Sequence, residues 1–119
     1  LRIAEQVALR SDCRALVTGE AVGQVASQTI NNMNTINRAV DMLVLRPLVG
    51  ADKNESIRMA EAIGTMELSC IPAPDSCTVF APSSPATSVP LELAEAEERK
   101  IPDYPAVIEK IIADIVTEA

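Results

Sequence analysis

The run MLVLRPLV at positions 42–49 constrains the fold more than any other stretch of this chain. A short, nearly continuous apolar run bounded by Asp41 and Gly50 is the pattern of a strand covered on both faces, as in parallel sheets whose connections lay helices over each side. Pro47 has no N–H for a ladder, so it belongs at the strand's end. A second strand is predicted over RALVT (14–18), ending at Gly19.

Helical patterns surround both strands. Residues 1–11 read as an amphipathic helix already under way at Ile3, Ala4, Val7 and Ala8, so the chain is expected to begin in mid-domain. From Val22 the apolar positions 22, 25, 26, 29, 30 and 33 form a 3.6-residue stripe, which predicts a helix over that stretch. DKNESIRMAEAIGT (52–65) offers Asp52 or Asn54 as N-cap, apolar residues at 57, 60 and 63, and Gly64 as C-cap. Residues 91–99 resume helix. The chain closes on a further helix that starts around Tyr104-Pro105 and carries Val107, Ile108, Ile111, Ile112, Ile115 and Val116 on one stripe. Strands alternating with helices imply βαβ units and a parallel sheet with flanking helices. Two strands are too few for a complete doubly wound domain, so the expectation is its second half, with the earlier strands supplied from outside this chain. Three segments follow: 1–69, a loop at 70–90 holding five prolines, and the helices of 91–119.

Composition narrows the partners. With 119 residues there is room for one modest core, and with only Phe80 and Tyr104 as aromatics that core is aliphatic. The net charge of −7 argues against a polyanion-binding surface on these residues, because phosphate contacts need clustered Lys and Arg. No apolar run approaches the ~18–20 residues that span a bilayer, and LRIAEQVALR lacks the layout of a signal peptide. No membrane association and a cytoplasmic location are the expectations. In that compartment Cys13, Cys70 and Cys77 read as thiols rather than a disulfide framework. The sequence holds no His and no CxxC, which leaves no metal site to assign and removes Ser-His and Cys-His catalysis.

The long uncharged stretch from Ala21 to Asn37 follows a Thr-Gly-Glu turn at the carboxyl end of the first strand, where open α/β sheets bind ligands. A glycine there lets the backbone turn sharply and lets a ligand approach it closely. On a helix from Val22, the side chains of Gln24, Ser27, Gln28 and Asn31 would form one polar stripe. Amides and a hydroxyl read a heterocycle edge or a sugar without setting a full charge against it. A solvated helix face is the plain alternative.

The segments LRIAEQVA, ALVTGEAVGQVASQTINNMNTIN, LVLRPLVGADKNESIRMAEAIGT and PDSCTVFAPSSPATSVP together resemble the tRNA 4-thiouridine synthetase family, also called tRNA sulfurtransferase or thiamine-biosynthesis sulfur-transfer proteins. The resemblance covers nearly the whole chain. It implies the C-terminal half of a Rossmann-like PP-loop adenylation domain (adenine nucleotide alpha hydrolase-like fold), which activates a tRNA uridine with ATP, Mg²⁺ accompanying the nucleotide. Carried over residue by residue, it makes Gly19 and Gln28 nucleotide contacts, with Gln24 as a second-rank candidate, and Cys77 the functional cysteine of the Pro-rich loop. It also implies tRNA as substrate and a persulfide sulfur donor such as a cysteine desulfurase.

Replacing a uridine carbonyl oxygen by sulfur needs a leaving group, which adenylation supplies, and a sulfur nucleophile. In the role the resemblance gives it, Cys77 attacks a donor persulfide and releases the terminal sulfur at the adenylated base, leaving a disulfide to be reduced. Many relatives without a rhodanese domain carry two adjacent cysteines in this loop, where this chain has Ser76-Cys77. Cys70 is then either the resolving thiol or a small buried residue, and Cys13 is expected to be structural. The family's SGGxDS-type PP-loop is not found in these residues, nor is its N-terminal RNA-binding region; an iron–sulfur cluster, where relatives have one proposed, would lie upstream. The chain by itself is therefore expected to be inactive and, with a truncated sheet edge, a homo-oligomer. A non-enzymatic half-domain that binds a nucleotide or protein is the alternative function. A PP-loop hydrolase of another substrate would leave Cys77 without a chemical task.

Overall fold

The structure, a computed structural model, describes residues 1–73 and 83–117. In chain order the elements are α1 (Arg2–Arg10), β1 (Ala15–Val17), α2 (Ile30–Asn37), β2 (Leu43–Leu45), α3 (Lys53–Ala62), α4 (Met66–Ser69), α5 (Leu91–Glu98) and α6 (Tyr104–Thr117). The short α4 has no counterpart in the sequence reading.

Local chemistry sets the boundaries. Glu5 in the first turn of α1 and Arg10 in its last complement the helix dipole. The helix then closes as a Schellman motif around Asp12 at φ 53°, with Cys13 N donating to Ala8 O at 2.8 Å and Asp12 N to Leu9 O at 3.3 Å. α3 opens on a capping box: Glu55 N donates to Asp52 Oδ1 at 2.8 Å and Asp52 N to Glu55 Oε2 at 2.7 Å, which selects Asp52 over Asn54 as the cap. Its end repeats the motif of α1, with Gly64 at φ 75° and Thr65 N donating to Ala60 O at 2.9 Å.

The two strands pair in parallel in the register Ala15–Leu43, Leu16–Val44 and Val17–Leu45, joined by a crossover that contains α2. Glu5 Oε1 accepts from both Asp41 N and Met42 N at 2.8 Å, so α1 fixes where β2 begins. Pro47 lies beyond the strand, as its missing N–H requires. Neither strand is covered on both faces among the described residues. Val17 is 69% exposed, Leu43 62% and Leu45 46%, because no second layer among the described residues reaches them. Burial is concentrated where α1 meets α6, at Ala8 and Ile112, and where the crossover folds back, at Ala21 and Met33. On α6, Val107, Ile111 and Ile115 stay partly exposed although they belong to the predicted apolar stripe.

A polar knot ties α1, α5 and α6 together. Arg2 Nε donates to Glu98 Oε1 at 2.9 Å and Arg2 Nη1 to Ala39 O at 3.0 Å, while the Tyr104 hydroxyl donates to the same carboxylate oxygen. The hydrogen bonds from Arg2 and then Tyr104 hold the Glu98 carboxyl below its ordinary range, and the bond to Glu98 raises the Tyr104 phenol. A carboxyl whose folded pKa is depressed binds its proton less readily folded than unfolded. Its contribution is thus present above the ordinary value of 4.5 and is lost as the pH falls through the lower folded value. Glu98→Gln in the complete protein is expected to lower Tm at neutral pH and to flatten the acid limb of Tm against pH. Acid limbs of equal steepness in both proteins would remove the knot's role.

Candidate functional site

The Thr18-Gly19-Glu20 turn leaves the carboxyl end of β1 beside that of β2. Thr18 N donates to Leu45 O at 3.0 Å, extending the ladder by one bond. Glu20 then turns inward. Its Oε2 accepts from Thr18 Oγ1 and from Arg46 Nε, each at 2.9 Å, and Arg46 Nη1 reaches Asn37 Oδ1 at 3.1 Å. The ion pair is largely shielded, with side-chain exposures of 14% for Arg46 and 18% for Glu20. Gly19 itself is exposed and not at positive φ, and a Cβ there would meet no heavy atom within 4 Å. Neither its φ nor its neighbours among the described residues require glycine, so the sharp-turn reason fails.

The helix predicted from Val22 begins only at Ile30. Val22 N is committed to Val49 O at 3.0 Å, Gly23 sits at φ 78°, and Thr29 caps α2 by accepting from Asn32 N at 3.2 Å. Of the supposed apolar stripe Met33 is buried, whereas Val25 is 54% and Ile30 63% exposed. Gln24, Ser27, Gln28 and Asn31 therefore do not share a helix face. Gln24 lies exposed in the loop, and Asn31 Nδ2 donates to Ser88 Oγ at 3.3 Å. Gln28 is half-buried: its backbone O accepts from Gly23 N at 3.0 Å and its Oε1 from Ala21 N at 3.4 Å, which folds the loop back toward the strand ends.

The other side of α2 carries a set of residues that sequence reasoning passed over. Asn32 is buried, and both polar atoms of its amide are bonded: Nδ2 donates to Ser27 O and Ala86 O, and Oδ1 accepts from Val89 N, all at 2.8 Å. Thr29 Oγ1 donates to Thr87 O and Thr35 Oγ1 to Val89 O, both at 2.6 Å. The signal available in the sequence was an Asn beside Met33 on the inward side of the helix, one turn from Thr29 and Thr35. Between these elements lies a cleft of ≈ 550 Å³ lined by Glu20, Ser27, Gln28, Asn32, Pro85 and Val89 among others. Gln28 thus faces the segment that returns from the Pro-rich loop.

Cys77 lies outside the described residues. Cys13 and Cys70 are both exposed thiols. Cys70, at the end of α4, is not the small buried residue of one sequence reading; Cys13 serves the end of α1 through its backbone N–H, and its Sγ lies 3.8 Å from Ser11 O. Among the described residues no group of three or more His, Cys, Asp or Glu is placed to hold a metal, and no helix is long and apolar enough to cross a membrane.

Residues 1–102 match the family model described as thiamine biosynthesis protein (ThiI). The chain is 46% identical over 118 residues to a probable tRNA sulfurtransferase of Alkaliphilus oremlandii, covering 99% of this chain and 30% of that protein. It is 48% identical over 110 residues to the probable tRNA sulfurtransferase of Moorella thermoacetica, covering 92% of this chain and 27% of that one. Its fold matches, with a TM-score of 0.85 and 43% identity, a crystal structure of a 4-thiouridine synthetase–RNA complex with bound ATP, over 94% of this chain and 29% of the other. The chain therefore spans about 30% of the length of the curated relatives it matches.

Proposed function

The chain belongs to the thiamine biosynthesis protein (ThiI) family, and from that premise we propose that it is the second half of a PP-loop adenylation domain in an ATP-dependent tRNA sulfurtransferase. The complete protein adenylates a tRNA uridine and replaces its 4-oxygen with sulfur, in the cytoplasm where tRNA is found. The observation that carries this reading is the match at 43% identity to a 4-thiouridine synthetase seen with RNA and ATP, which spans 94% of this chain. The exposed β-strand side chains, with nothing among the described residues laid over them, fit a sheet completed by further strands.

Each residue then has a task. Gly19 lets the nucleotide approach the backbone at the strand ends, and Gln28 forms the wall beside it. The uridine O4 attacks the α-phosphorus of ATP, pyrophosphate leaves, and C4 carries an adenylate. The Cys77 thiolate attacks the inner sulfur of a donor persulfide; a disulfide forms between Cys77 and the donor, the terminal sulfur leaves as hydrosulfide, and this displaces AMP from C4. A thiol reductant returns two electrons to the disulfide in each turnover. The Mg²⁺ that accompanies ATP does not fit the carboxylate at hand, since the Glu20 charge is already paired with Arg46 and its Oε2 accepts from both Arg46 and Thr18. An iron–sulfur cluster does not fit the two described cysteines, which belong to no metal-holding group. No step is routed through either.

Gln28→Ala in the complete protein is expected to weaken ATP binding by about 1–3 kcal/mol, the cost of stranding a buried hydrogen-bond partner. The fold should survive, because Gln28 is only half-buried. Calorimetry that finds unchanged nucleotide affinity would return Gln28 to a purely local role in closing its loop.

A further inference from the structure

Residues 86–89 belong to no helix or strand, yet their backbone is fastened at four points: Ala86 O, Thr87 O, Val89 N and Val89 O. Every one of these partners is a side chain of α2 or its cap. Val89 is half-buried and Ala86 and Thr87 are exposed, yet their backbone groups are bonded to protein rather than left to water, three side chains standing in for a ladder. The same Asn32 Nδ2 that holds Ala86 O also holds Ser27 O, the residue before Gln28. One buried amide thus ties the loop that carries Gln28 to a segment whose first anchored residue lies nine positions along the chain from Cys77.

We propose that Asn32, with Thr29 and Thr35, is a positioning device for sulfur delivery: it fixes the arm at 86–89, which follows the Cys77 segment in the chain, against the Gln28 loop. This rests on the reading of Cys77 and Gln28 given above. None of the three residues needs to touch the reacting atoms. Their effect is on where the arm is held, and a misplacement of about 1 Å costs on the order of 100-fold in rate.

The test uses the complete protein, with tRNA thiolation driven either by a persulfide donor, which needs Cys77, or by free sulfide, which does not. Thr35→Val removes one bond to Val89 O while keeping the side chain's shape. Asn32→Asp keeps size but turns a donor to two carbonyls into an acceptor. In both, persulfide-driven kcat is expected to fall by about 10- to 100-fold while sulfide-driven thiolation and ATP affinity stay within about threefold. Thr35→Ser, which keeps the hydroxyl, should restore the persulfide rate. Combined with Cys77→Ser, Thr35→Val should cost nothing further with the persulfide donor. Asn32→Asp withdraws the donor from two carbonyls and places a carboxylate between them, so Thr35→Val carries the decision if that protein fails to fold. Equal losses in the two sulfur assays, or no loss in either, would overturn the positioning role. Wild-type thiolation by Cys77→Ser with the persulfide donor would instead sink the underlying assignment of Cys77.

Discussion

Cys77→Ser in the complete protein is expected to lower persulfide-driven 4-thiouridine formation by about 1000-fold or more, the order seen when a covalent nucleophile is removed. Serine keeps the size of the side chain and removes the sulfur. ATP and tRNA affinity should be unchanged, because adenylation needs the nucleotide site and not the loop cysteine. Free sulfide should rescue the product, since an adenylated C4 accepts hydrosulfide whether or not a cysteine released it. The same substitution at Cys13 is expected to leave activity intact, as the contribution of that residue to α1 is a backbone N–H that serine also has. Cys70→Ser separates two roles: an exposed thiol at the end of α4 is free to resolve a disulfide, and loss of multiple turnovers with a normal first turnover is the signature of a missing resolving thiol. The assay is the near-ultraviolet absorbance of 4-thiouridine in tRNA. Normal persulfide-driven product from Cys77→Ser would return the Pro-rich loop to a structural role.

What was legible in the sequence follows the range of the interactions that decide it. α1, both strands, α3 and the two C-terminal helices are set by apolar spacing, caps and turn residues within a few positions of one another. The Asp52–Glu55 box and Gly64 are decided within a single turn of chain. The stretch 22–29 was misread because its apolar spacing is helical while its backbone is already committed elsewhere: Val22 N to Val49 O and Gly23 at positive φ. A periodicity count cannot see a bond to a residue 27 positions away. Cover on both faces was expected of the 42–49 strand from MLVLRPLV, and the strand formed, but no covering layer lies over it among the described residues. Gly19 was singled out by its place at the end of the first strand and Gln28 by a polar stripe on a helix that does not form there; their roles as nucleotide contacts came from resemblance. Asn32, Thr29 and Thr35 were read as part of an uncharged stretch; their partners at 86–89 lie more than 50 positions away.

Glu20→Gln is expected to destabilise the region around the strand ends by about 2–4 kcal/mol, because it leaves the Arg46 guanidinium shielded and uncompensated. Glutamine keeps an acceptor for Thr18 Oγ1 and for Arg46 Nε, so the loss is one of charge rather than of hydrogen bonding. Arg46 has little else to turn to: Nη1 is bound to the neutral Asn37 amide, and Nη2 is buried with no partner among the described residues. Since Glu20 follows β1 and Arg46 follows β2, the pair clamps the two strand ends next to the Thr18-Gly19-Glu20 turn. The damage should therefore be local. Exchange of the Thr18 amide, which is bonded to Leu45 O, is expected to accelerate by about 30- to 1000-fold, the equivalent of that energy range, and ATP affinity should fall with it. Replacing both Glu20 and Arg46 by Leu removes the charges together, and most of the exchange protection should return, as it does when a buried pair is exchanged for apolar groups. A cost below about 0.5 kcal/mol for Glu20→Gln would mean that solvent screens the pair as it screens a surface salt bridge. The spacing of the strand ends would then have to be set by the ladder bond from Thr18 to Leu45 and the bond from Val22 to Val49 alone.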